Sequence, residues 1–229
     1  MIPLRDENPS RTRPVVMWTL VALNLGAFLY ELMLGPDLRG FTLEWGLVPA
    51  RLSSAMTTGS EPVLAAGLPL LTSMFLHGGW MHLIGNLWYL VIFGDNVEDR
   101  LGHGAFLFFY LAAGLAGGLL HYYFNAGSAI PTVGASGAIA GVMGAYFLLF
   151  PTARVLTVVP IIFMFVWLPA WLVLGYWFLA QFLSGAATSI SASSNMGGVA
   201  FWAHVGGFVA GITLIKIFPP RQRPYSYGQ

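Results

Sequence analysis

Val133-Gly134-Ala135-Ser136-Gly137-Ala138-Ile139-Ala140-Gly141 is the stretch on which the reading of this chain turns. A serine among small residues opens an apolar run that continues to Phe150. Its counterpart lies downstream in Trp202-Ala203-His204-Val205-Gly206-Gly207-Phe208-Val209-Ala210-Gly211, the one later stretch with a histidine. Behind Ser136 stand Ala140 and Gly144 at i+4 and i+8; behind His204 stand Gly207 and Gly211 at i+3 and i+7. Each small stripe lies on the helix face of its polar residue. Two such backbones can approach closely enough for a hydroxyl to meet an imidazole.

The surroundings of these helices are nonpolar. Of 229 residues 57% are hydrophobic and 8% charged, with mean hydropathy +0.72. A soluble globule carries about 25% charged residues, so this composition places the chain in lipid. All nine acids fall at or before Asp99, which leaves the second half of the chain without a carboxylate side chain. Zero cysteines exclude disulfides, thiolate nucleophiles and cysteine-ligated metal. Ten scattered basic residues form no nucleic-acid patch. Residues 1–14 carry Arg5, Arg11 and Arg13 ahead of an apolar run too long for a signal peptide, so the first span is read as retained.

Hydropathy and length predict an all-α polytopic membrane protein with six spans, at about 15–34, 80–93, 105–124, 135–150, 158–180 and 199–218. The first loop, 35–67, is polar but contains Leu43, Trp45, Leu47 and Val48, which suit the membrane interface. Leu68 to Phe93 is interrupted at His77-Gly78-Gly79, and residues 94–104 read as a polar turn. Pro160 and Pro169 are expected to kink the fifth span. An uncharged polar loop is expected from about 181 to 198, and residues 219–229 form a short basic tail. With both termini cytoplasmic, Arg5, Arg11, Arg13, Arg100, Arg154, Lys216, Arg221 and Arg223 lie inside, and Arg39 and Arg51 outside. That distribution obeys the positive-inside rule. No targeting extension is legible, which favours a prokaryotic plasma membrane.

In this arrangement spans two, four and six run in the same direction, with their N-terminal ends toward the outer surface. At ~1.5 Å per residue, Ser136 lies ~21 Å above Phe150, His204 ~21 Å above Phe218 and His82 ~20 Å above Asp95. The three share a level roughly 10 Å below the outer boundary of a ~30 Å core. Polar side chains at such depth face the protein interior and are functional candidates. Each has a plainer reading: Ser136 as a packing residue, His204 as a structural histidine, and His82 with Asn86, at i and i+4, as helix glue. Taken together at one level, they fit peptide hydrolysis. His204 serves Ser136 as general base in a dyad, since no carboxylate is at hand. The Ser136 N–H at a helix N-terminus, His82 and Asn86 are the candidate oxyanion donors. No His-Glu-x-x-His and no paired intramembrane aspartates are present, so neither a metal nor a cofactor is expected. His103 and His121 fall at span ends and read as interfacial.

Gly134-Ala-Ser136-Gly137, Ala203-His204-x-x-Gly207-x-x-x-Gly211 and His82-x-x-x-Asn86 resemble the rhomboid intramembrane serine proteases. His77-Gly-Gly-Trp-Met-His82 and Gly94-Asp-Asn-Val-Glu98-Asp-Arg100-Leu-Gly102 add to the likeness, which spans about Leu70 to Gly211. The resemblance implies a rhomboid-like bundle with Ser136 as nucleophile, His204 as base, and His82 and Asn86 at the oxyanion site. It implies structural roles for Glu98 and Arg100, a membrane-embedded hairpin in the first loop, and a gate formed by the fifth span and the loop after it. Two departures are visible. The Trp-Arg pair often found in the family's first loop is absent, and Ala140 stands where some members carry a tyrosine that stacks on the histidine. The expected partners are transmembrane protein substrates and the lipid bilayer, with no nucleic acid. The alternative function is a non-proteolytic membrane protein that binds or escorts transmembrane helices. A small-molecule transporter ranks behind both, for want of intramembrane charge pairs and an inverted repeat.

Overall fold

A computed structural model describes residues 1–159, 164–190 and 200–218. After a short strand β1 (Ile2–Asp6), the long helix α1 (Val15–Met33) begins directly after Pro14, a residue suited to a helix start. The first loop is largely helical: a 3₁₀ turn at Gly35–Asp37, then α2 (Leu38–Trp45), α3 (Pro49–Thr58), α4 (Val63–Gly67) and α5 (Pro69–Thr72). After a 3₁₀ turn at Ser73–Phe75 come α6 (Trp80–Leu101), α7 (His103–Asn125) and α8 (Ser136–Leu149). Strands β2 (Arg154–Val159) and β3 (Met164–Pro169) precede α9 (Ala170–Ile190) and α10 (Phe201–Ile217). By length and composition α1, α7 and α9 can each cross a membrane, and residues 63–75 with α6, bent by 77°, make up to a fourth crossing. Helices α8 and α10 are apolar but shorter.

The core is formed where α6, α7, α8 and α10 meet. Phe93, Phe106, Phe109, Tyr110, Met143 and Tyr146 are fully buried there. The faces turned outward are equally apolar, with Trp18, Leu29, Phe108 and Leu183 exposed. Packing rather than burial from water therefore decides which faces meet. Helices α8 and α10 meet backbone to backbone. A Cβ added at Gly207 would lie inside van der Waals contact of the Gly137 carbonyl, so only glycine fits there.

The sequence expectations need four corrections. The chain is not all-α: β1, β2 and β3 form an antiparallel sheet in that order, pairing Ile2 with Val158 and Val158 with Phe165. Residues 160–163, with the kink expected at Pro160, lie outside the described residues; on either side of them β2 and β3 pair as the arms of a hairpin where span five was expected to start, and the helix begins at Ala170, not at 158. The residues of the two arms explain why: Val155, Thr157, Val158, Val159 and Val166 are β-branched, and Pro169 is placed just before the helix it starts. Helix α9 then continues through residues 181–190, expected as loop; the remainder of that loop, 191–198, lies outside the described residues, as does the tail 219–229.

Residues 94–101 likewise belong to α6 instead of a turn, and only Gly102 separates α6 from α7. Their acids are occupied by backbone donors. The Glu98 carboxylate accepts from the Val16 and Met17 N–H groups at 2.9 and 2.7 Å, and Asp99 accepts from the Thr12 N–H at 2.9 Å. The first N–H groups of a helix have no partner within it, so one helix here caps another. His103 completes this cluster by bonding Glu98 through Nδ1.

Candidate active site

Ser136 is the first residue of α8, at the helix end where N–H groups are unpaired and the peptide dipoles favour negative charge. Gly134 sets the approach to it. Its φ of 129° is rarely open to other residues, its N–H donates to the Ser73 carbonyl at 2.8 Å, and a side chain there would strike the His82 imidazole. His82 therefore lies against the strand of chain that leads into the serine.

His204 enters from the first turn of α10, is 9% exposed, and uses both ring nitrogens. Its Nε2 lies 2.8 Å from Ser136 Oγ, and its Nδ1 lies 2.7 Å from Gln181 Oε1 on α9. The ring centroid is 5.6 Å from that of Trp177, also on α9, at an interplanar angle of 36°. The four residues singled out from sequence, Ser136, His204, His82 and Asn86, all line one cavity of about 1110 Å³. That exceeds the space a drug-sized ligand needs. Its apolar wall includes Met81, Tyr89, Ile139 and Met143.

On the α6 side, Asn86 is buried and its Nδ2 has no protein partner among the described residues. A buried amide donor facing a cavity is costly unless something there accepts from it. The Gly78 N–H donates to His82 Nδ1 at 3.4 Å, which leaves the ring proton on Nε2, the nitrogen beside Gly134. The loop carrying Gly78 is fixed from outside the site: Glu31 of α1 accepts from the His77 N–H at 3.0 Å, and the His77 ring packs edge-on against His82 at 5.2 Å.

Three residues of the site were missed in the sequence. His121 was read as interfacial, but it is in the cavity wall, with Nε2 2.9 Å from Thr132 Oγ1. Gln181 falls at the start of the expected loop but belongs to α9, as does Trp177. The signal was present: once the helix starts at Ala170, Trp177 and Gln181 stand four apart on one face. Among the described residues, no group of three His, Cys, Asp or Glu side chains is placed to hold a metal ion.

Fold and cavity together define a class: a helical membrane protein with a serine hydroxyl and an imidazole paired beneath its surface. Comparison with known proteins gives that class its family. The rhomboid domain family matches residues 66–221, more than half of the chain, and the chain belongs to the rhomboid family. It is 46% identical over 76 residues to Rhomboid protease GluP of Bacillus subtilis, covering 33% of this chain and 14% of that protein. To RHOMBOID-like protein 6, mitochondrial, of Arabidopsis thaliana it is 41% identical over 76 residues, 33% of this chain and 24% of the relative. To Rhomboid protein 1, mitochondrial, of Saccharomyces cerevisiae it is 33% identical over 149 residues, 63% and 40% respectively. The chain thus spans less than half the length of each of these relatives. Rhomboid proteins are generally intramembrane proteases, although some members lack activity.

Proposed function

We propose that this chain is a serine endopeptidase that cleaves peptide bonds in or near transmembrane segments of other membrane proteins, using Ser136 and His204 as a dyad. The observation that carries this reading is the 2.8 Å approach of Ser136 Oγ to His204 Nε2 at the wall of the cavity. As Oγ bonds to the substrate carbonyl carbon, Nε2 takes the hydroxyl proton and the carbonyl oxygen becomes an oxyanion. The N–H groups that open α8, His82 Nε2–H and Asn86 Nδ2–H surround the space where that charge develops. His204 then passes its proton to the amine nitrogen as the C–N bond breaks, leaving an acyl ester on Ser136. Water, deprotonated by the same nitrogen, hydrolyses the ester and restores the hydroxyl.

The reading includes six spans within residues 15–218, with both termini cytoplasmic. Sheet pairing supports it: β1 and β2 are hydrogen-bonded, so residues 2–6 and 154–159 lie on one side of the membrane. An even number of crossings must separate them, which fits four by α1, the bent pair ending in α6, α7 and α8, followed by two more. The compartment we assign is a prokaryotic plasma membrane, supported by the likeness to the Bacillus subtilis protein, although other relatives carry mitochondrial names.

Purified protein in liposomes is expected to cleave a model transmembrane substrate, with Ser136→Ala slower by on the order of a thousandfold or more. Undiminished cleavage in that variant would falsify the assignment. Labelling of Ser136 by a fluorophosphonate, lost in His204→Ala, separates a hydrolase from a protein that only binds transmembrane helices.

A further inference from the structure

We propose that Gln181 is a positioning residue for His204, holding the imidazole in the one tautomer that can accept the Ser136 proton. The proposal rests on the dyad read above. A neutral imidazole carries one N–H and one lone pair. For Ser136 Oγ to become a nucleophile its hydroxyl must donate to Nε2, so the ring proton must sit on Nδ1. Nδ1 lies 2.7 Å from an amide oxygen, Gln181 Oε1, which accepts that proton's hydrogen bond and has no proton of its own to give. The ordering Gln181 Oε1, His204, Ser136 Oγ thus has the form of a catalytic triad whose outer member is a neutral amide.

Two further features favour this over an incidental hydrogen bond. Every acidic side chain of the chain lies at or before Asp99, and both ring nitrogens of His204 are already occupied, by Gln181 and Ser136. No carboxylate is bonded to the ring among the described residues. The ring also lacks an aromatic support from α8, where Ala140 is buried beside Gly207. Trp177, one helical turn before Gln181, supplies it from α9. One helix therefore provides both the acceptor for Nδ1 and an aromatic ring packed beside the imidazole. An amide in this place orients the ring, but it does not stabilise the imidazolium as a carboxylate would. A carboxylate added at this position would favour the protonated ring.

The test is steady-state cleavage of a model transmembrane substrate across pH by the full chain in liposomes, comparing wild type, Gln181→Leu and Gln181→Glu. Gln181→Leu is expected to lower kcat by about tenfold or more, the worth of one orienting hydrogen bond, with KM changed less than twofold. Gln181→Glu, nearly isosteric, is expected to remain active and to move the acid limb of kcat/KM to higher pH. In ¹⁵N-histidine spectra at neutral pH, His204 should hold its proton on Nδ1 in wild type and become a tautomer mixture in Gln181→Leu. A leucine variant with kcat within twofold of wild type, or a glutamate variant with an unmoved acid limb, overturns the proposal. If Gln181→Leu does not fold, the glutamate variant decides alone. Ser136→Ala in the same assay keeps the two failures apart: an active alanine variant removes the dyad itself, whereas an inactive one beside a normal leucine variant removes only the role of Gln181.

Discussion

The seam between α8 and α10 and the neighbouring helix α9 hold the same histidine by different means. In α8 every residue from Gly137 to Tyr146 is buried, and the α10 backbone lies directly on it at Gly207. In α9 few residues of the apolar stretch are buried, and Trp171, Tyr176, Leu179 and Leu183 face outward. Its lower end is tied by hydrogen bonds, Ala170 N–H to Ala153 O at 2.8 Å and Trp171 N–H to Pro151 O at 3.0 Å, next to the three-stranded sheet. The seam thus fixes the distance between the reacting groups with backbone that cannot give. The looser helix sets the orientation of the ring with two side chains.

Substitution in the seam carries the largest expected effect. Gly207→Val drives a branched side chain into the Gly137 carbonyl, a clash relieved only by parting the helices. The cost exceeds the ~1–3 kcal/mol usual for overpacking, and both the melting midpoint and fluorophosphonate labelling of Ser136 should fall. A variant with normal labelling would show that the seam has slack. Trp177→Ala on α9 should be milder. Losing the ring contact is worth about 0.5–1.5 kcal/mol, so kcat should drop several-fold while the melting midpoint moves less than in Gly207→Val. A larger stability loss from Trp177→Ala than from the seam variant would reverse the comparison.

A third expected effect is at β1, where Tyr146 of α8 bonds Asp6, and it depends on pH. Burial pushes the Asp6 carboxyl up to about 6 from its ordinary value of 3.8; the hydrogen bond from the Tyr146 hydroxyl works against this, and nearby Asp95 adds to it. A carboxyl whose folded value is raised binds its proton more tightly in the folded state. Its contribution is therefore complete below about pH 4 and is lost as pH rises through about 6. Between pH 4 and 7 the melting midpoint of the wild type should decline relative to Asp6→Asn, and the two curves should run parallel above that. Parallel curves throughout would mean that Asp6 is no less ionised in the fold than in solution.

The features that sequence revealed are those with one strong physical signature. Helices α1, α8 and α10 could be bounded to within a few residues, because uninterrupted apolar runs of that length have few other uses. The approach of residue 136 to residue 204 followed from glycine spacing. The hairpin was lost because Val155 to Trp167 is as apolar as a span, and a short apolar run does not distinguish strand from helix by period. That one misreading displaced the start of α9 by more than three turns, put Gln181 in a loop, and so hid the acceptor for His204. Glu98 and Asp99 read as turn residues because their polarity was legible, whereas their partners, backbone N–H groups some 80 positions earlier, carry no mark in a sequence.

The pairing of β1 with β2 also fixes an order of events during synthesis. Residues 2–6 leave the ribosome before the strand that receives them, which follows about 150 residues later, behind the helices between them. For that interval residues 2–6 have an unsatisfied hydrogen-bonding edge. The sheet then closes as a late clasp, joining a strand made early to the foot of α9 just before the helix that carries Gln181 is made.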